Sequence, residues 1–207
     1  SGIILVTGPT GSGKTTTLYA SINRINSAEK NIITIEDPIE YELRDVGQIQ
    51  VNPKIDLNFA RGLRSILRHD PDIIMVGEIR DLETAEIAIK AAMTGHLVFS
   101  TLHTNDCPST VGRLLDIGIP SYLVASSLTM VLSQRLARKL CPQCKVQDRN
   151  FNPAELEDMG FSKDEISGLE LYGPGGCSEC MGAGYKGRVG LFELMEVTEK
   201  LSRIISA

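Results

Sequence analysis

Gly8-Pro9-Thr10-Gly11-Ser12-Gly13-Lys14-Thr15 fits the pattern Gly-x-x-x-x-Gly-Lys-Ser/Thr without a mismatch. It follows a short apolar run, 3–7, and opens a helical one, which is the context such a loop needs. Glycines let the backbone wrap around phosphate oxygens without a Cβ clash. Successive N–H groups and the positive end of the helix then face the anion. The candidate contacts to a nucleotide are Gly8, Thr10, Gly11, Ser12, Gly13, Lys14, Thr15 and Thr16. In such a loop the Lys14 ammonium reaches the β- and γ-phosphates, and the Thr15 hydroxyl holds Mg²⁺.

Hydrolysis needs more than binding, because the attacking water must be oriented, and a carboxylate is the usual means. Two acidic groups fall at the ends of predicted strands. One is Glu36-Asp37-Pro38-Ile39-Glu40, and the other is Gly77-Glu78, which follows Ile73-Ile74-Met75-Val76. In an open parallel sheet the carboxyl ends of the strands line the ligand crevice. Their coincidence with strand ends singles out Glu40 and Glu78. His103 lies just past the strand 97–101, within reach of a γ-phosphate at that edge. His96 precedes the same strand and belongs to the opposite edge.

Four of the five cysteines form two Cys-x-x-Cys pairs, Cys141/Cys144 and Cys177/Cys180, separated by 32 residues. Two such knuckles can place four thiolates tetrahedrally around one Zn²⁺. Four thiolates leave no open coordination position, so a metal held this way is structural. A redox dithiol and two local disulfides are the rival readings of the same spacing. Cys107 stands alone and reads as a small loop residue.

The elements that must position these groups follow from hydrophobic periodicity. Strands are expected at 3–7, 31–35, 48–52, 72–77, 97–101 and 191–197. Helices are expected at 14–25, 59–68, 82–93, 110–116, 121–139, from near 152, and from 199 to the end. Alternation of strand and helix predicts an α/β fold with a mainly parallel sheet. The expected organisation is a phosphate-loop core over 1–140, a metal-organised subdomain over 141–190, and a strand and helix over 191–207 returning to the core. The segment 141–190 is too poor in apolar residues to build a large core of its own, which is where a metal ion contributes most. Both ends of the chain read as cuts through a longer protein.

Composition narrows the classes. Apolar residues make up 42% and charged residues 23%, as in an ordinary soluble domain. No apolar run approaches the ~20 residues of a membrane span. A net charge of −5 excludes a generally basic nucleic-acid binder, and the absence of Trp argues against a base-stacking platform.

Taken in order, the phosphate loop, the segments 35–40 and 67–81, and Thr94-Gly95-His96-Leu97-Val98-Phe99-Ser100-Thr101-Leu102-His103-Thr104-Asn105 resemble the Walker A, Asp, Walker B and His boxes of secretion ATPases. These are the motors of type II secretion and type IV pilus assembly. The tetracysteine segment narrows the resemblance to that branch, since retraction motors and type IV secretion relatives generally lack it. The resemblance implies a RecA-like P-loop NTPase core and a zinc-binding subdomain, with ATP, Mg²⁺ and Zn²⁺ bound. It implies Glu40 as the base that orients water, Glu78 as a Mg²⁺ holder through water, and His103 as a γ-phosphate contact with His96 in support. Arg64, Arg68 and Arg80 match arginines that the family places near subunit contacts or the nucleotide.

The resemblance further implies a homo-hexamer, with an inner-membrane platform protein and a cytoplasmic adaptor as partners. The place implied is cytoplasmic, peripheral on the inner membrane. Family members carry N-terminal domains that supply arginines, so this chain alone is expected to bind ATP, turn over slowly and hexamerise poorly. Two other readings share part of the pattern. One is a RecA-like nucleic-acid translocase. The other is a zinc-bearing interaction module with a non-hydrolysing nucleotide site.

Overall fold

A computed structural model describes residues 1–148 and 150–207. The elements in order are β1 (Gly2–Thr7), α1 (Lys14–Ile25), β2 (Ile32–Glu36), β3 (Gly47–Gln50), α2 (Phe59–Ile66), β4 (Ile73–Val76), α3 (Leu82–Met93), β5 (Leu97–Leu102), α4 (Cys107–Ile117), α5 (Ser121–Ser127), β6 (Leu128–Leu140), β7 (Val146–Asp148), α6 (Pro153–Asp158), α7 (Lys163–Ser167), β8 (Leu171–Gly173), β9 (Tyr185–Glu196) and α8 (Glu199–Ser206).

Seven strands form one sheet in the order β3-β2-β4-β5-β1-β6-β9. The pairs β1·β5, β4·β5, β2·β4, β2·β3 and β1·β6 are parallel. Both faces of the central strands are covered, so those strands read as continuous apolar runs. In β4, Ile74 and Val76 join one core with Leu63 and Ile66 of α2 and Ala85 and Ala88 of α3. Ile73 and Met75 join another with Leu18, Tyr19 and Ile22 of α1. The split follows the two-residue alternation of a strand.

Helix starts are set by polar caps. Asp81 accepts from the Thr84 amide at 2.8 Å and opens α3, and Asp106 accepts from the Ser109 amide at 2.7 Å and opens α4. Each cap satisfies an amide that has no partner within the helix. Two acids close to the strand ends are thereby used in structure.

One expected helix is cut short. The segment 121–139 was expected to be helical, but the helix ends at Ser127 and residues from Leu128 onward form β6. The reason is tertiary. Strand β1 has β5 on one side only, and the β-branched and apolar stretch Leu128-Thr129-Met130-Val131-Leu132 supplies its other neighbour, with Leu5 opposite Val131 and Thr7 opposite Ser133. A sheet position overrides the modest helix propensity of such a segment.

The chain divides into two compact units, residues 1–135 with 191–207, and residues 136–190. The second unit holds the antiparallel β7·β8 pair and the short helices α6 and α7. Asn152 caps α6, and Ser162 with Glu165 makes a capping box on α7. Its buried residues are few, with Cys141, Leu156 and Cys180 among them.

Candidate active site

Because the strands are parallel, the carboxyl ends of β1, β2, β4 and β5 share one edge of the sheet. The phosphate loop leaves β1 there, the acidic segment 36–40 leaves β2, Glu78 follows β4, and His103 follows β5. Four segments distant in sequence thus meet by topology alone.

The loop has the backbone its sequence implies. Gly13, before α1, has φ 86°. Gly8 has φ +137°, and a Cβ there would lie 2.2 Å from the Gln134 carbonyl oxygen, so any other residue would push β6 away. Lys14 Nζ donates to the carbonyls of Gly8 at 3.0 Å and Pro9 at 3.1 Å. Burial lowers the pKa of its ammonium below the ordinary lysine value, and the Glu78 carboxylate opposes that shift. Ser12 is 3% exposed, and among the described residues its Oγ has no hydrogen-bond partner. An orphan buried hydroxyl inside a loop lined with N–H groups fits an anionic ligand that accepts hydrogen bonds.

Glu78 is 8% exposed and has two basic neighbours. The Arg80 guanidinium pairs with one carboxylate oxygen, and His103 Nε2 stands 3.5 Å from the other. Hydrogen bonds between strands fix the frame around it. Thr101 Oγ1 donates to the Gly77 carbonyl at 2.7 Å, and the Ile79 amide donates to the Thr101 carbonyl at 3.1 Å. The Thr7 hydroxyl donates to the Leu102 carbonyl at 3.0 Å and accepts from the Thr104 amide at 2.9 Å, which ties the start of the phosphate loop to the segment carrying His103.

The acidic segment after β2 separates into two roles. Glu36 is 2% exposed. Its carboxylate accepts from the Tyr19 hydroxyl, from Thr34 Oγ1 at 2.5 Å and from Gln48 Nε2 at 3.1 Å. Glu40 is exposed, and its amide donates to the Tyr19 oxygen at 3.4 Å. Tyr41 packs edge-on against Tyr19, with ring centroids 4.7 Å apart. Of the two glutamates, Glu36 is held by three donors and Glu40 is exposed to solvent.

The remaining candidates sit elsewhere. His96 Nδ1 lies 2.9 Å from the Ala91 carbonyl and 3.2 Å from Thr94 Oγ1, at the amino end of β5, where it secures the end of α3. Arg64 pairs with Glu83 at 2.6 Å on the surface. Cys107 is not the loop residue expected: capped by Asp106, it opens α4 and is buried, with its one S–H shared between the carbonyls of Val131 at 3.4 Å and Glu193 at 3.3 Å.

In the second unit the Sγ atoms of Cys141, Cys144, Cys177 and Cys180 all lie within 4.8 Å of one another. Adjacent pairs are separated by 3.9, 3.7 and 3.8 Å. Tetrahedral thiolates at a Zn–S distance of ~2.3 Å would be ~3.8 Å apart, so the four fit one Zn²⁺. Disulfide bonding requires ~2.05 Å, and the thiols are free. The amides of Cys177 and Gly184 donate to Cys180 Sγ at 3.4 and 3.2 Å. These donors, Cys177 first, pull that thiol down to about 6, while burial and the neighbouring sulfurs push the Cys144 thiol up to about 12, so the ligand-free cluster shares its protons unevenly.

Sequence reasoning missed Gln134 and the Tyr19–Glu36 pair. A tyrosine on the buried face of α1 was a usable signal, because a buried phenol takes a hydrogen-bond partner. Gln134 had no such signal while its segment read as helix.

A family model described as type II/IV secretion system protein matches residues 1–207. The chain belongs to that family. Type II secretion system protein E of Dickeya dadantii (strain 3937) is 56% identical over 204 residues, covering 99% of this chain and 40% of that protein. The type IV pilus assembly ATPase PilB of Myxococcus xanthus (strain DK1622) is 53% identical, covering 99% of this chain and 36% of its own length. Among solved structures, the pilus retraction motor PilT with bound ADP superimposes with a TM-score of 0.71 at 37% identity, over 99% of this chain and 50% of that one. The chain therefore spans about 40% of the type II secretion relative's length. The fold is the mainly parallel α/β architecture expected of a P-loop core, with a tetracysteine cluster that suits zinc. Among the described residues no helix is long and apolar enough to cross a membrane.

Proposed function

We propose that this chain is the ATP-hydrolysing motor segment of a hexameric secretion ATPase that powers type IV pilus assembly or type II protein secretion. The observation that carries the proposal is the orphan Ser12 hydroxyl inside an intact phosphate loop, with Glu78 and His103 at the same sheet edge. Its relatives' names, type II secretion system protein E and pilus assembly ATPase PilB, supply the machine class.

In this reading Gly8, Thr10, Gly11, Ser12, Gly13, Lys14, Thr15 and Thr16 hold the phosphates of ATP. Thr15 and Glu78 would hold Mg²⁺, which when bound neutralises charge developing on the phosphate oxygens. Glu40 accepts the proton of the attacking water, for which its exposed side chain is suited. His103 stabilises the γ-phosphate while leaning on Glu78. Glu36 is a positioning residue, since its carboxylate already accepts from three donors. The four cysteines of the second unit hold one structural Zn²⁺.

The working organisation is a core over 1–140, a zinc subdomain over 141–190 and a returning segment over 191–207. The working assembly is a ring on the cytoplasmic face of the inner membrane, engaged with a platform protein and an adaptor. Nothing in the charge favours a nucleic-acid translocase. Equilibrium binding of a fluorescent ATP analogue with Mg²⁺ tests the central step. Binding by the parent chain and its loss in Lys14→Ala are expected, and binding that survives Lys14→Ala would sink the phosphate-loop assignment.

A further inference from the structure

Strand β6 lies beside β1 with Ser133 opposite Thr7. The next residue, Gln134, therefore stands beside Gly8, where β1 becomes the phosphate loop. It is 3% exposed and spends both ends of its amide on the loop and its helix. Nε2 donates to the Ser12 carbonyl at 2.6 Å, and Oε1 accepts from Thr17 Oγ1 at 2.7 Å. Its own carbonyl fills the space that a Cβ on Gly8 would occupy.

The first contact has a directional consequence. In a trans peptide the C=O and the following N–H lie in one plane and point opposite ways. Holding the Ser12 oxygen on Gln134 turns the Gly13 N–H away from β6. Gly13 sits at φ 86°, where a glycine can rotate its peptide at little cost. Without an anchor, the Ser12–Gly13 peptide is free to flip and present an oxygen where a phosphate needs a donor.

We infer that Gln134 is a positioning residue for nucleotide binding, which fixes the Ser12–Gly13 peptide in its phosphate-binding orientation. This rests on the reading that the loop binds ATP phosphates. The Ser12 contact is the working one, and the Thr17 contact only aims the amide.

The test measures the Kd of a fluorescent ATP analogue with Mg²⁺, and KM and kcat for ATP. It compares the parent chain with Gln134→Met, Gln134→Glu, Thr17→Val and Lys14→Ala, and follows ligand-free melting of each. Gln134→Met keeps the volume and removes the donor. Gln134→Glu keeps the acceptor for Thr17 and, when ionised, loses the donor to Ser12. Gln134→Met is expected to weaken binding by about tenfold or more, the size of one lost hydrogen bond, and Gln134→Glu by more, because it also sets a carboxylate beside the phosphates. KM should rise in step while kcat stays within about twofold, and Thr17→Val should bind within about twofold of the parent.

A purely structural role would lower the melting temperature and leave Kd and KM alone, which overturns the inference. Equal losses in Thr17→Val and Gln134→Met would also overturn it, by moving the effect from the Ser12 peptide to helix packing. Should Gln134→Met melt below the assay temperature, Gln134→Leu, which likewise removes the donor without adding charge, carries the comparison. A parent chain that binds no nucleotide would overturn the ATP reading and this inference together. A parent that binds, with binding lost in Lys14→Ala and unchanged in Gln134→Met, overturns this inference alone.

Discussion

The hydroxyl of Tyr19, on the helix that follows the phosphate loop, donates to the buried carboxylate of Glu36 at the end of β2. The same phenol oxygen receives the Glu40 amide, so one side chain links the loop's helix to the segment bearing the candidate base. Tyr19→Phe leaves Glu36 with Thr34 and Gln48 as donors and removes a bond to a charged acceptor. It is expected to destabilise the chain by about 2 kcal/mol, in the range measured for such bonds, read as a shift in the urea midpoint.

That pair also sets an alkaline response. Burial first, and then the Glu36 bond, raise the Tyr19 pKa well above the usual tyrosine value. A raised folded-state pKa contributes stability that is fully present below the unfolded value, about 10, and is lost as pH rises through the folded one. Urea melts above pH 10 are therefore expected to show the parent losing more stability than Tyr19→Phe. Parallel losses in the two proteins would contradict the assignment.

The two glutamates of the segment 36–40 are expected to separate by assay. Glu36→Gln should lower the melting temperature, because its oxygens serve three donors. Glu40→Gln should leave melting within about 1 °C, as an exposed substitution does, and act on turnover. The opposite pattern would exchange their roles.

Glu78 offers a third separation. Its carboxylate serves Arg80 and His103, while the proposed chemistry asks it to hold Mg²⁺. Arg80 is largely exposed, so its pair with Glu78 is worth ~0.5–1 kcal/mol. Arg80→Gln is thus expected to lower the Mg²⁺ concentration at half-maximal nucleotide binding by about threefold. An unchanged midpoint would mean that Arg80 does not compete for that carboxylate.

Zinc is expected at about one per chain by elemental analysis, as four thiolates in one cluster imply. A strong chelator should raise hydrogen exchange across 136–190 and spare ATP-analogue binding. Retained protection there after verified metal removal would count against a structural metal.

Much of the site was legible because its chemistry is local in sequence. The phosphate loop occupies eight consecutive residues, and the cysteine pairs carry their own spacing. The meeting of Glu78 and His103 at one sheet edge was legible from a single topological rule, that parallel strands present their carboxyl ends together. Gln134 and Glu36 were not, because their roles depend on partners 122 and 17 residues away. The segment 128–139 misread for the same reason. It has the composition of either element, and only the open side of β1 makes it a strand.

Steady-state ATP turnover with Mg²⁺, measured for the parent chain, Lys14→Ala and Glu40→Gln alongside nucleotide binding, tests the central claim most directly. Lys14→Ala should lose both binding and turnover. Glu40→Gln should keep binding and lose turnover by about 10²–10⁴-fold, the range for a general base. Glu40→Gln turning over at the parent's rate would contradict the assigned base, and ATP binding without hydrolysis, both in the parent and with the adjoining N-terminal domain restored, would contradict the motor.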